Sequence, residues 1–153
     1  MNPKTNELQS VTSQEEHLAF LQEAARNSLV SFAEIIKKGY QAEFFHEIIG
    51  IILQEAAEKV KLKQKVRIIL SVPPRHGKTE LASTLFPAWA LGKYPEMKFI
   101  LSSYGADLSE TIGMKTRDVI NSEAYQMIFP GISLRPDVKA KAKWMTNKDG
   151  SFT

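Results

Sequence analysis

The chain has 153 residues, the size of one ordinary domain. Hydrophobic residues at 43% and charged residues at 24% exclude disorder throughout, and the lack of cysteine excludes a disulfide framework or a thiolate metal site, as suits a reducing cytoplasm. The net charge of +3 is too small to argue for nucleic acid by itself, no run approaches the ~18 apolar residues of a membrane helix, and the polar opening "MNPKTNELQSVTSQEE" holds no apolar signal core.

Residues 1–13 read as a flexible lead-in, and 14–64 as a helical segment. Leu18, Leu21, Ala25, Phe32 and Ile36 recur at three- and four-residue steps, the stripe of an amphipathic helix punctuated by Gly39. A second helix follows, with Phe45, Ile48, Ile49, Ile52, Ala56 and Val60 on its apolar face. The pattern then changes. "VRIILSV", residues 66–72, is short, β-branched and nearly all apolar, as a strand buried on both faces is, and Pro73-Pro74 ends it. From Lys78 a helix runs through Leu81, Ala82 and Leu85 to Leu91, kinked by Pro87 and closed by Gly92.

"MKFILSSY" repeats the strand signature, and "ADLSETIGMKTRDVI" follows as a helix with Asp107 and Glu110 spaced as a capping box. "SEAYQMIF" is a short helix stopped by Pro130-Gly131; "KWMT", "NKDG" and "SFT" read as strand, turn and strand. Two helices followed by strand–helix–strand–helix make an α/β pattern with parallel strands. Arg135, Lys139, Lys141, Lys143 and Lys148 thicken the basic charge near the end, as a solvated surface does; contact with DNA is the other reading.

The chemistry lies in "SVPPRHGKTE", residues 71–80. The phosphate-loop consensus G-x-x-x-x-G-K-[ST] is met at Gly77-Lys78-Thr79, but Val72 stands where its first glycine belongs. A bare G-K-T is common. Its place between a buried-strand pattern and a helix start gives it weight. Gly77 lets backbone approach a phosphate, the helix amides receive the anion, Lys78 reaches the β- and γ-phosphates, and the Thr79 hydroxyl ligates magnesium. Arg75 is a candidate arginine finger or a surface arginine; His76 reads as loop-shaping rather than proton-carrying. Asp107 is separated from its strand by Ser102–Gly105, so it serves better as a helix cap than as a Walker B carboxylate.

These residues resemble a known family. "PPRHGKTE", "FPAWALGKYP", "SSYGADLSE", "TRDVINSEAYQMIFPG" and "KWMTNKDGSF" together are similar to the ATPase domain of the large subunit of tailed-phage terminases, the DNA-packaging motors, from about Phe44 onward. The resemblance implies a P-loop NTPase fold (RecA/ASCE-like), here an incomplete parallel sheet preceded by two helices. It implies ATP and Mg2+ as cofactors, with double-stranded DNA, a small subunit and a portal as partners of an oligomeric motor in the bacterial host's cytoplasm. Terminases commonly lack the loop's first glycine and carry an arginine before G-K-[ST], which accounts for Val72 and makes Arg75 the candidate arginine. Gly77, Lys78 and Thr79, with Arg75 and His76, then form the nucleotide site, Thr79 meeting Mg2+ through the nucleotide. Tyr40, Gln41 and His46 fall where the family has an adenine-side segment, or are simply a helix boundary and surface.

The resemblance also makes residues 65–153 the first part of such an ATPase domain, truncated before Walker B and without the nuclease. Weak nucleotide binding, lost in Lys78→Ala, is then expected rather than useful turnover. Later strands of the family separate the phosphate-loop strand from the next one, so exposed strand edges, low stability and aggregation are expected here. A small stand-alone P-loop kinase or binding protein and a non-functional prophage remnant are the alternatives.

Overall fold

Ser28 divides the first helical stretch in two. Its backbone is extended (φ −128°, ψ 124°) and its Oγ accepts from the Ser31 amide at 3.1 Å, capping α2 (Leu29–Ile36) after α1 (Pro3–Asn27). The computed structural model describes residues 3–139 and 143–153, so α1 begins within the stretch read as a lead-in.

A helix break inside a core strands backbone groups that need new partners. The Gln54 side chain supplies two: Oε1 accepts from the Leu29 amide at 2.8 Å, and Nε2 donates to the Asn27 carbonyl at 2.9 Å. Trp89 Nε1 donates to the Ala25 carbonyl at 3.0 Å. Thus one residue from α3 (Phe44–Lys61) and one from α4 (Phe86–Lys93) clamp the break.

The buried stripe of α3 is His46, Ile49, Gly50, Leu53 and Ala57. This corrects the expected face, since Ile48, Ile52 and Val60 are exposed. The reason is Gly50: a Cβ there would lie 3.0 Å from Val30, so α3 turns its flat side to α2. Hydrophobic periodicity counts neither a glycine nor a histidine as core.

The helix that follows residues 73–79 opens with a π-helical segment (Glu80–Leu85) before α4. The wide turn, closed by the Phe86 amide on the Leu81 carbonyl, lies directly ahead of Pro87 and makes room for a residue that cannot donate to the ladder. Gly92 does not close this helix, which runs to Lys93. A Cβ at Gly92 would lie 2.4–2.6 Å from three ring carbons of Phe129, so the glycine marks a close approach instead.

The sheet is small and mixed, not the parallel sheet expected. Its order is β1 (Lys98–Phe99), β4 (Ser151–Phe152), β3 (Trp144–Thr146), β2 (Leu134–Lys139); only β1 and β4 run parallel. The terminal hairpin is present, with Trp144 and Phe152 stacked at 5.2 Å and Trp144 Nε1 donating to the Gly113 carbonyl at 3.1 Å. The basic stretch read as a solvated surface holds the edge strand β2, where Arg135 pairs with Asp137. Lys141 and the Lys139 side chain lie outside the described residues.

α5 (Ala106–Asn121) and α6 (Glu123–Ile128) complete the helical layer. The N-cap of α5 is Gly105, so Asp107 sits inside the first turn without a capping hydrogen bond, a correction to the capping box. There its charge still complements the helix dipole. α6 is capped by Ser122 and ends before Gly131, whose φ is +91°. Tyr125 from α6 donates to the Ala88 carbonyl at 3.0 Å, and Phe32, Tyr125 and Phe129 form an aromatic cluster. The N-terminal helices and the segment after the loop therefore share one core.

Residues 66–72 form no strand, and "MKFILSSY" contributes only the two residues of β1. A strand exists only through a neighbour's ladder, and no described residue pairs with 66–72. Leu70 and Val72 pack on the core while Ile69 is 95% exposed, as is Ile100, beyond β1, at 86%. A groove of about 1040 Å³, lined among others by Leu53, Val60, Ile68 and Phe99, lies between this run and β1.

Candidate phosphate-binding site

Residues 73–79 lead from the 66–72 run into the helix through two left-handed positions. Arg75 has φ +66° and Gly77 φ +70°, on either side of His76. Glycine adopts this region freely, whereas an arginine there is held at a cost of roughly 1–2 kcal/mol. His76 braces the bend: its Nδ1–H donates to the Pro74 carbonyl at 2.8 Å.

The first intrahelical bond runs from the Leu81 amide to the Gly77 carbonyl at 2.9 Å. The amides ahead of it, on Lys78, Thr79 and Glu80, are the unsatisfied donors that every helix start carries. With the positive end of the helix dipole they make a seat for an anion. Lys78 Nζ donates to the Val72 carbonyl at 3.2 Å, folded back over the turn, while Thr79 and Arg75 are exposed. Glu80, in the first turn, pairs with Lys37 at 3.1 Å.

A second layer comes from α3 and the segment before it. His46 is 6% exposed, and both ring nitrogens are engaged. Nδ1 accepts from the Glu43 amide at 2.9 Å; Nε2–H donates to the His76 carbonyl at 3.1 Å. A carbonyl only accepts, so the ring is the Nε2–H tautomer. A Cβ on Gly77 would come within 3.1 Å of that same nitrogen. Phe45 meets the His76 ring edge-on, and Tyr40 packs 5.5 Å from the His46 ring. The Tyr40 hydroxyl is buried without a hydrogen-bond partner among the described residues. Burial, then the carboxylates of Glu80, Glu34 and Glu47, push its pKa up.

Arg75, His76, Gly77, Lys78 and Thr79 therefore form one continuous turn, with His46 and Tyr40 behind it and Gln41 exposed. Asp107 is exposed on α5. The large groove does not include residues 71–80 in its lining. What residue-by-residue reading missed is His46 as a contact of the loop. It gave only a position upstream; its sole local signal is the three-residue offset from Glu43.

A family model described as terminase large subunit, T4likevirus-type, N-terminal, matches residues 69–150, more than half of the chain. The chain belongs to the terminase large-subunit family. No curated protein and no solved structure matches it. In this phage terminase chain the matched stretch opens just ahead of the loop and runs through α4, α5, α6 and the hairpin. Tyr40, Gln41 and His46 lie before it. No helix is long and apolar enough to cross a membrane among the described residues.

Proposed function

We propose that the loop from Arg75 to Thr79 binds the phosphates of ATP. The observation that carries this is the turn itself: a left-handed Gly77 delivers the chain into a helix at Lys78 and Thr79 whose first intrahelical bond comes only at the Leu81 amide. The residues fit a nucleoside triphosphate, because backbone amides and one ammonium supply positive potential and the bare Cα of Gly77 leaves room for close approach. Magnesium, held by the Thr79 hydroxyl and the phosphates, would neutralise charge on the phosphoryl group. Arg75, exposed on the same turn, would meet charge developing on the γ-phosphate.

Within the family this site belongs to a motor. The reading extends to ATP hydrolysis coupled to packaging double-stranded DNA into a procapsid in the bacterial cytoplasm, with a small subunit and a portal as partners and a nuclease that cuts the concatemer. Titration with a fluorescent ATP analogue and magnesium tests the loop's part. Weak saturable binding that disappears in Lys78→Ala is expected; binding unchanged by that substitution would remove the loop from the site.

A further inference from the structure

We infer that His46 is a positioning residue that sets the phosphate loop, an inference resting on the reading of that loop as an anion site. In a trans peptide the C=O and the following N–H point in opposite directions. His46 holds the His76 carbonyl toward α3 at 3.1 Å, and so turns the Gly77 amide to the opposite side, away from α3. That amide is the donor just ahead of the helix start. A flipped peptide would present a carbonyl oxygen to the phosphate instead, replacing attraction by repulsion.

His46 is built for this task. Its ring is buried, wedged beside Phe45 and Tyr40, and its Nδ1 is committed to the Glu43 amide at the start of α3. The ring cannot rotate without giving up that bond, so the Nε2–H direction is fixed by the helix cap. The loop meanwhile holds Arg75 and Gly77 in left-handed conformations, and Arg75 does so against its own preference. The latch supplies a tether from outside the loop that opposes relaxation. Because both ring nitrogens are already engaged by backbone groups, His46 acts through the His76–Gly77 peptide alone.

Two amide substitutions separate the latch from the helix cap. Asn places its oxygen where Nδ1 accepts from Glu43; Gln reaches the position of Nε2 and can donate to the His76 carbonyl. Without nucleotide, exchange of the Leu81 amide, which is bonded to the Gly77 carbonyl at 2.9 Å, should be faster in His46→Asn and return toward wild type in His46→Gln, while both remain folded by circular dichroism. Equal exchange in the two variants would overturn the latch. A measurement needing no substitution stands beside it: the imidazole nitrogen shifts of wild-type His46 should report the Nε2–H tautomer, and the Nδ1–H tautomer would overturn it. In the same samples MgATP affinity should fall roughly tenfold in Asn and recover in Gln, the scale of one hydrogen bond. Failure of the wild type to bind MgATP would overturn the phosphate-site reading instead, and the exchange and tautomer results would still decide the latch.

Discussion

Lys78 Nζ donates to the carbonyl of Val72 at 3.2 Å, so the lysine lies folded onto the residue that replaces the consensus glycine. The contact spans six residues and is only partly buried, which makes it easy to exchange for a phosphate oxygen. Removing it should cost little stability. Lys78→Ala is expected to lower unfolding free energy by less than about 1 kcal/mol, the usual worth of such a bond, while eliminating nucleotide binding. Urea unfolding beside a nucleotide titration checks both; a large loss of stability would mean the lysine is a structural brace.

Gln54 is the residue on which the break between α1 and α2 depends. Its carboxamide satisfies the Leu29 amide and the Asn27 carbonyl together. Leu29 is fully buried, so Gln54→Leu should leave a donor without a partner and destabilise by about 1–3 kcal/mol. A midpoint within error of wild type in urea would show that water reaches the break.

Tyr125 makes stability fall at alkaline pH. Burial pushes its phenol pKa up from the ordinary 10.0. The unfolded chain therefore gives up this proton before the folded one. The contribution is fully present below about pH 10 and is lost as pH rises above it, at up to about 1.4 kcal/mol per pH unit for this group. Tyr125→Phe should flatten that part of the stability curve, at a cost near neutral pH of about 1 kcal/mol for the lost bond to Ala88. Parallel curves for the two proteins between about pH 9 and pH 11 would contradict this.

The helices were legible in the sequence because their information is local. Ser122 caps α6 within one turn and "KWMT" and "SFT" pair across a short turn, whereas the break at Ser28, held by Gln54 and Trp89 from other helices, was read as continuous helix. The 66–72 run was not legible as it folds, because β-branched residues announce a strand but not its partner. No described residue pairs with it, and the apolar side of the pattern is left partly in solvent at Ile69. The α3 face was misread because Gly50 and His46, the two residues that bring α3 against its neighbours, carry no hydrophobic signal. The loop residues were visible by spacing; the left-handed backbone of Arg75 and the contact with His46 were not, since both arise from chain segments meeting in space.

Unpaired backbone beside exposed Ile69 and Ile100 should make the chain associate with itself. Light scattering is expected to rise with protein concentration, and to rise less in an Ile69→Lys, Ile100→Lys double variant. A wild-type protein that stays monomeric at high concentration would show those edges to be protected.

Whether nucleotide phosphates sit on the turn from Arg75 to Thr79 is read from amide proton–nitrogen correlation spectra recorded during a MgATP titration. The largest shifts are expected at Gly77, Lys78, Thr79 and Glu80, with smaller ones at His46 behind the loop. Shifts centred on Leu53, Ile68 and Phe99, which line the large groove, with an undisturbed loop would contradict that placement.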